Sequence, residues 1–232
     1  MADLICPVGM KLISGDVANH PELGTVPPFC IDEYEVTNKQ LDSYEEVHSL
    51  SDRSKAIKLY LGKRGRTSPQ KLNAPNQPVF YANWYEAKAY CEAKGGSLPT
   101  GEQWEKAARG PKGYDYATQS GTLNHHEAQY DTDTSSPVGT YPPNGNGIYD
   151  MTGNMWEWTL EDYPLLGTKG LGTKGLRGGS LFSASPPRGL TVDYRLTTGN
   201  PATRGTNVGF RCVAPVLSET PKGQVEGAPK TP

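Results

Sequence analysis

Apolar residues recur along this chain at two different periods. Met10-Lys11-Leu12-Ile13 and Phe29-Cys30-Ile31-Asp32-Glu33-Tyr34-Glu35-Val36 alternate, in part, every second residue, so residues 4–36 read as strands. Further on the period lengthens to that of a helix. Trp84, Ala87 and Cys91 fall on one face, with Lys88 and Glu92 left to water, and Trp104, Ala107 and Ala108 make a second stripe. Both stripes read as core packing. Three helix starts share one device: Thr37 with Gln40, Asn83 with Glu86, and Thr100 with Gln103 each set a capping side chain three residues before Gln or Glu. Gly95-Gly96 ends the second helix.

The rest of the chain is mostly punctuation. Residues 49–78 are polar and basic, with Lys63-Arg64-Gly65-Arg66 near the middle. They read as a solvated insertion, with a partner-binding patch as the alternative. From about 110 to 150, Gly, Asn, Asp, Ser, Thr and Pro dominate and predict loop. Residues 218–232 carry too little apolar surface to join a core and read as a flexible tail. One domain, residues 1–217, is therefore expected.

Composition narrows the class. The 27 Gly and 20 Pro, beside only 35% hydrophobic residues, predict a loop-rich fold. A net charge of −2 gives no electrostatic case for nucleic acid or an anionic membrane. No apolar run approaches the roughly 18 residues of a membrane span, and the first residues show no signal-peptide pattern. Cys6, Cys30, Cys91 and Cys212 form no CxxC pair, so a zinc knuckle is not indicated. An even number allows two disulfides and an extracytoplasmic home; four reduced thiols would suit the cytoplasm. Of the four histidines, only His125 and His126 are close in sequence, and neighbours on an extended chain point to opposite faces. A two-histidine iron site is not indicated.

Four blocks change the picture: Leu98-Pro99-Thr100-Gly101-Glu102-Gln103-Trp104-Glu105-Lys106-Ala107-Ala108-Arg109-Gly110, then Gly153-Asn154-Met155-Trp156-Glu157-Trp158, Arg177-Gly178-Gly179-Ser180 and Gly209-Phe210-Arg211-Cys212. In this order they resemble the formylglycine-generating enzyme (sulfatase-modifying factor) family over residues 4–217. The resemblance implies an α+β, loop-rich variant of the C-type lectin fold, with short antiparallel sheets and two to three main helices. It also implies bridges Cys91–Cys212 and Cys6–Cys30. It further implies structural calcium at Asn154 and Glu157 with the backbone of Gly153 and Met155, and a second calcium near Asn124, His125 and Asp131 or Asp133. Hard oxygen donors of this kind suit calcium.

What the family has and this chain lacks is its catalytic cysteine pair. In its place Leu181-Phe182-Ser183-Ala184-Ser185-Pro186-Pro187-Arg188 contains no thiol, and neither does the rest of 181–211. Soft thiolates are what hold Cu(I), so no copper is expected. Ser183 lies near where a catalytic Cys would sit, but a hydroxyl needs a base, and no histidine follows Glu127. Ser180 and Asn207 match family residues that line the substrate pocket. No catalytic residue is assigned.

Residues 175–218 also lack Lys, Glu, Gln, Met and Trp, types that make up about a fifth of the whole chain. Loops and buried strands explain part of this. Adenine-directed codon replacement, which yields many residue types but not those five, explains it more sharply. It is the mark of the diversity-generating retroelement variable proteins that share this scaffold, which the segment resembles. On that resemblance the binding surface is 181–206, with Ser180, Leu181, Phe182, Ser183, Ser185, Leu190, Thr191, Asp193, Tyr194, Leu196, Thr198, Asn200, Thr203, Thr206 and Asn207 as contacts. Leu181, Phe182, Leu190, Tyr194 and Leu196 would be its exposed anchors, and the polar residues its adaptable contacts. The expected function is a non-catalytic receptor for an unidentified protein or surface ligand. The alternative is an oxidoreductase of the same family with an altered centre. A sugar- or polymer-binding module is the third reading, and no residue pattern marks it.

Overall fold

A computed structural model describes residues 4–50, 52–64, 73–163, 172–184, 187–198 and 200–218. The tail beyond 218, Gly65-Arg66 of the basic insertion, and Ser185 lie outside the described residues. The fold is α+β, with short sheets between loops. Strands β1 (Leu4–Ile5), β2 (Met10–Ile13) and β3 (Phe29–Asp32) open the chain, with the short helix α1 (Pro21–Gly24) between β2 and β3. Helices α2 (Asn38–Val47), α3 (Asp52–Arg64), α4 (Trp84–Ala93) and α5 (Gly101–Arg109) follow. Then come β4 (Trp156–Tyr163), β5 (Thr173–Arg177), β6 (Leu196–Thr198), β7 (Val208–Gly209), β8 (Val213–Ala214) and β9 (Leu217–Ser218).

These strands form three sheets: β1-β9, β2-β3-β8 and β6-β5-β4-β7. All pairings are antiparallel except β4 with β7, which is parallel. The alternation expected through Phe29–Val36 stops early. Phe29, Cys30 and Ile31 are all buried, and the strand ends at Asp32. A strand covered on both faces reads as a continuous apolar run.

All three expected capping boxes form. Thr37, Asn83 and Thr100 each accept from the backbone N–H three residues on, and Gln40, Glu86 and Gln103 reach back to the cap residue's N–H. The Trp84-Ala87-Cys91 stripe packs on Trp156, Trp158 and Leu176 of the four-stranded sheet. The Trp104-Ala107-Ala108 stripe packs on Ile13, Phe29 and Ile31. Cys91 is bridged to Cys212, and Cys6 to Cys30. Gly96 is needed beyond α4 because a Cβ there would lie 2.1 Å from the Val213 carbonyl oxygen.

The insertion departs from the solvated reading. It contains a 13-residue helix, α3, whose Arg53 and Ile57 are buried. Four residues apart on a helix, they share one face. Ile57 packs with Phe80, Met155 and Leu181. Arg53 donates to Glu45 and to the Phe80 carbonyl, and pairs with Asp42.

Candidate functional site

The turn before β4 organises the region. Asp150, Gly153 and Asn154 all take positive φ, of 60°, 83° and 56°. Asn tolerates this region, and Gly costs nothing there. At Gly153 the requirement is also steric: a Cβ would lie 2.2 Å from the Gln129 carbonyl oxygen.

Asn154 is buried with both ends of its amide engaged. Its Oδ1 accepts the Ser136 N–H at 3.0 Å, and its Nδ2 donates to Glu35 Oε2 at 2.6 Å. The Met155 N–H donates to Glu35 Oε1 at 3.1 Å. Glu157 is buried too. Arg211 Nε donates to Oε2 at 2.8 Å and Nη2 to Oε1 at 2.7 Å, while Trp104 Nε1 donates to Oε2 at 2.7 Å. Calcium bound through Asn154 and Glu157 would share oxygens that already accept from Ser136, Arg211 and Trp104, with the Arg211 charge beside it. The carbonyls of Gly153 and Met155 alone do not make a calcium shell of six or more oxygens.

Burial pushes Glu35 well above the usual carboxylate range, with Asp150 and Glu157 adding repulsion. Asp150 is pushed up to about 6 by burial, against the Gly139 N–H and the Arg211 charge. Arg211 is therefore the positive centre among three buried acids.

The second expected calcium set is held by local bonds. Asn124 Oδ1 accepts the His126 N–H at 3.0 Å. His125 stacks on Tyr130 with centroids 4.1 Å apart. Asp131 is exposed at a φ of 51°. Among the described residues no group of three His, Cys, Asp or Glu side chains could hold a metal.

The segment expected to bind ligand is pinned from several sides. Leu181 N–H donates to the Asn154 carbonyl at 2.8 Å. The N–H groups of Thr132 and Asp131 donate to the carbonyls of Leu181 and Ser183 at 2.8 and 3.0 Å. Asn207 Nδ2 donates to Ser180 Oγ at 2.9 Å, and Ser183 Oγ accepts the Ser180 N–H at 3.0 Å. Ser180 and Asn207 thus stand together, and Ser183 beside them braces the backbone.

Leu181 and Leu190 are not exposed anchors. Both are 0% exposed and packed inside. Leu196 leans on the core from β6, and Tyr194 is half-buried with its ring 6.0 Å from that of Trp156. In a segment this poor in apolar residues, those few are drawn inward. Phe182, 50% exposed, is the anchor that does face solvent. Asp193, Asn200 and Thr203 are exposed around the segment; Thr191, Thr206 and Asn207 are half-buried, and Thr198 ends β6.

A family model described as the sulfatase-modifying factor enzyme 1-like domain matches residues 10–216. The chain belongs to that family. A mouse (Mus musculus) relative, described as inactive C-alpha-formylglycine-generating enzyme 2, is 36% identical over 154 residues, 59% of this chain and 49% of that protein. The bovine (Bos taurus) formylglycine-generating enzyme is 30% identical over 179 residues, 64% of this chain and 47% of that protein. The chain spans about half the length of these relatives. The solved structure of Treponema denticola variable protein 1 shares the fold, with a TM-score of 0.62 at 19% identity, covering 93% of this chain and 99% of that one. Within this sulfatase-modifying-factor frame, what sequence reasoning missed is the buried charge network. Glu35, set between Tyr34 and Val36 in an apolar stretch, was its one visible sign.

Proposed function

We propose that this sulfatase-modifying-factor domain is a non-catalytic ligand-binding protein, a diversified receptor that meets its ligand through the exposed part of residues 181–206. One observation carries the reading. The stretch where the family bears its catalytic cysteines is a backbone held by hydrogen bonds, with Phe182 turned outward and no thiol within it. All four cysteines are in bridges. The Ser183 hydroxyl accepts a backbone N–H, which is no activation for attack. Likeness to a relative described as inactive and to a structure titled a variable protein supports the same reading. Two bridges suit an oxidising, extracytoplasmic setting.

Oxygen uptake separates this reading from an oxidoreductase with an altered centre. Purified protein given copper(I) and a cysteine peptide should consume oxygen no faster than copper and peptide without it. Enzyme-dependent uptake coupled to loss of the thiol would overturn the proposal.

Diversification has its own signature. Sibling gene copies should differ within 175–218 at adenine-derived codons, and at exposed positions such as Phe182, Asp193, Asn200 and Thr203. Leu181, Leu190 and Val192, all buried, should stay apolar. Differences spread evenly over buried and exposed positions would count against a selected contact surface.

A further inference from the structure

A separate cavity opens where β3, α2 and α4 meet. It has a volume of about 300 Å³ and lies against Asp32, Met10, Val36, Val138, Tyr90 and Lys94. A more open groove of about 590 Å³ continues along α2 past Tyr44 and His48, sharing Thr37, Gln40, Tyr90 and Lys94 with it. Spaces of this size hold small molecules.

Three polar groups border the inner cavity with bonding capacity left over. Tyr90 is 4% exposed as a residue, but its hydroxyl is not sealed in the interior and opens on the cavity. Asp32 accepts the Cys212 N–H through Oδ2 at 2.8 Å, which leaves Oδ1. Lys94, just past the end of α4, acts on the Asp32 carboxyl through space, but no ion pair joins them. Glu35 also borders the cavity, with both oxygens already taken by Asn154 and Met155.

A hydroxyl that opens on a cavity can exchange its water for a bond to a guest at little cost to the fold. An acid and a base that share a cavity without touching leave room for a molecule carrying both opposite charges. We infer that this cavity binds a free α-amino acid with an apolar side chain. Its ammonium donates to Asp32 Oδ1 and Tyr90 Oη, its carboxylate accepts from Lys94, and its side chain lies against Met10, Val36 and Val138. Neither a lone amine nor a lone carboxylate uses both charges. None of the lining residues falls within 181–206, so this site stands or falls separately from the proposed receptor surface.

Calorimetric titration of the full chain tests it, with L-leucine as the probe and isoamylamine and 4-methylpentanoate as its two halves. L-leucine should bind, and each half should bind at least about tenfold more weakly. Tyr90→Phe should weaken L-leucine about tenfold while leaving the unfolding midpoint in place, because the hydroxyl holds nothing in the free protein. Lys94→Met should weaken it likewise. No heat with millimolar L-leucine, either half binding as tightly as the whole, or unchanged affinity in Tyr90→Phe would each overturn the assignment.

Discussion

Arg211→Leu is expected to lower the unfolding free energy by about 3–5 kcal/mol, read as a drop in the urea midpoint at unchanged slope. The size follows from what the guanidinium does. It grips both oxygens of Glu157 and donates to the carbonyls of Tyr149, Asp32 and Glu33. Remove it, and Glu157 keeps only the Trp104 N–H, with Glu35 and Asp150 close enough to repel it. A buried charge stripped of its partner costs far more than a well-made pair contributes. Glu157→Gln should therefore be milder, since Arg211 still feels the charges of Glu35 and Asp150. Adding Glu157→Leu to Arg211→Leu should recover part of the loss. If Arg211→Leu shifts stability by less than about 1 kcal/mol, the acids are balanced by something other than this arginine.

Removing the Cys91–Cys212 bridge, by Cys91→Ala with Cys212→Ala, is expected to cost about 5 kcal/mol on loop-closure grounds. The bridge spans 121 residues and ties α4 to the segment just before β8. The Cys6–Cys30 bridge spans only 24. Its removal should cost about 3 kcal/mol by the same relation. Both cysteines of the longer bridge are buried beside Trp84 and Phe210, against Cys30 alone in the shorter, so the alanine pair of the longer bridge loses more packing, which widens the gap. Denaturation without reductant reads both losses. A smaller loss for the 121-residue bridge than for the short one would mean the unfolded chain is already restrained near α4.

The scaffold was legible because its signals are local. Capping boxes need only four residues, and stripes such as Trp84-Ala87-Cys91 only two turns. Helix α3 was not legible, because the buried side chains described on it are an arginine and an isoleucine among charged residues, and no period shows until Asp42 and Glu45 arrive from α2. The proposed binding surface was half legible. The composition of 175–218 marks the segment, but which apolar residues turn inward depends on the turn at Asn154 and the backbone donors of Asp131 and Thr132. The expectation that Asn154 and Glu157 share a turn holds for Asn154 alone, since Glu157 already lies in β4, and it was blind to Arg211, which comes from 54 residues further on. The amino-acid cavity joins Asp32, Tyr90 and Lys94 only in space.

Residues 181–183 receive backbone donors from Asp131 and Thr132 and give one to Asn154. Their ordering entropy is already spent when the domain folds. A side chain exchanged at Phe182 then alters chemistry at the surface without reshaping the main chain beneath it. Any molecule that docks there meets a mould set in advance, so its dwell time follows the side chain displayed more than any loop closing over it.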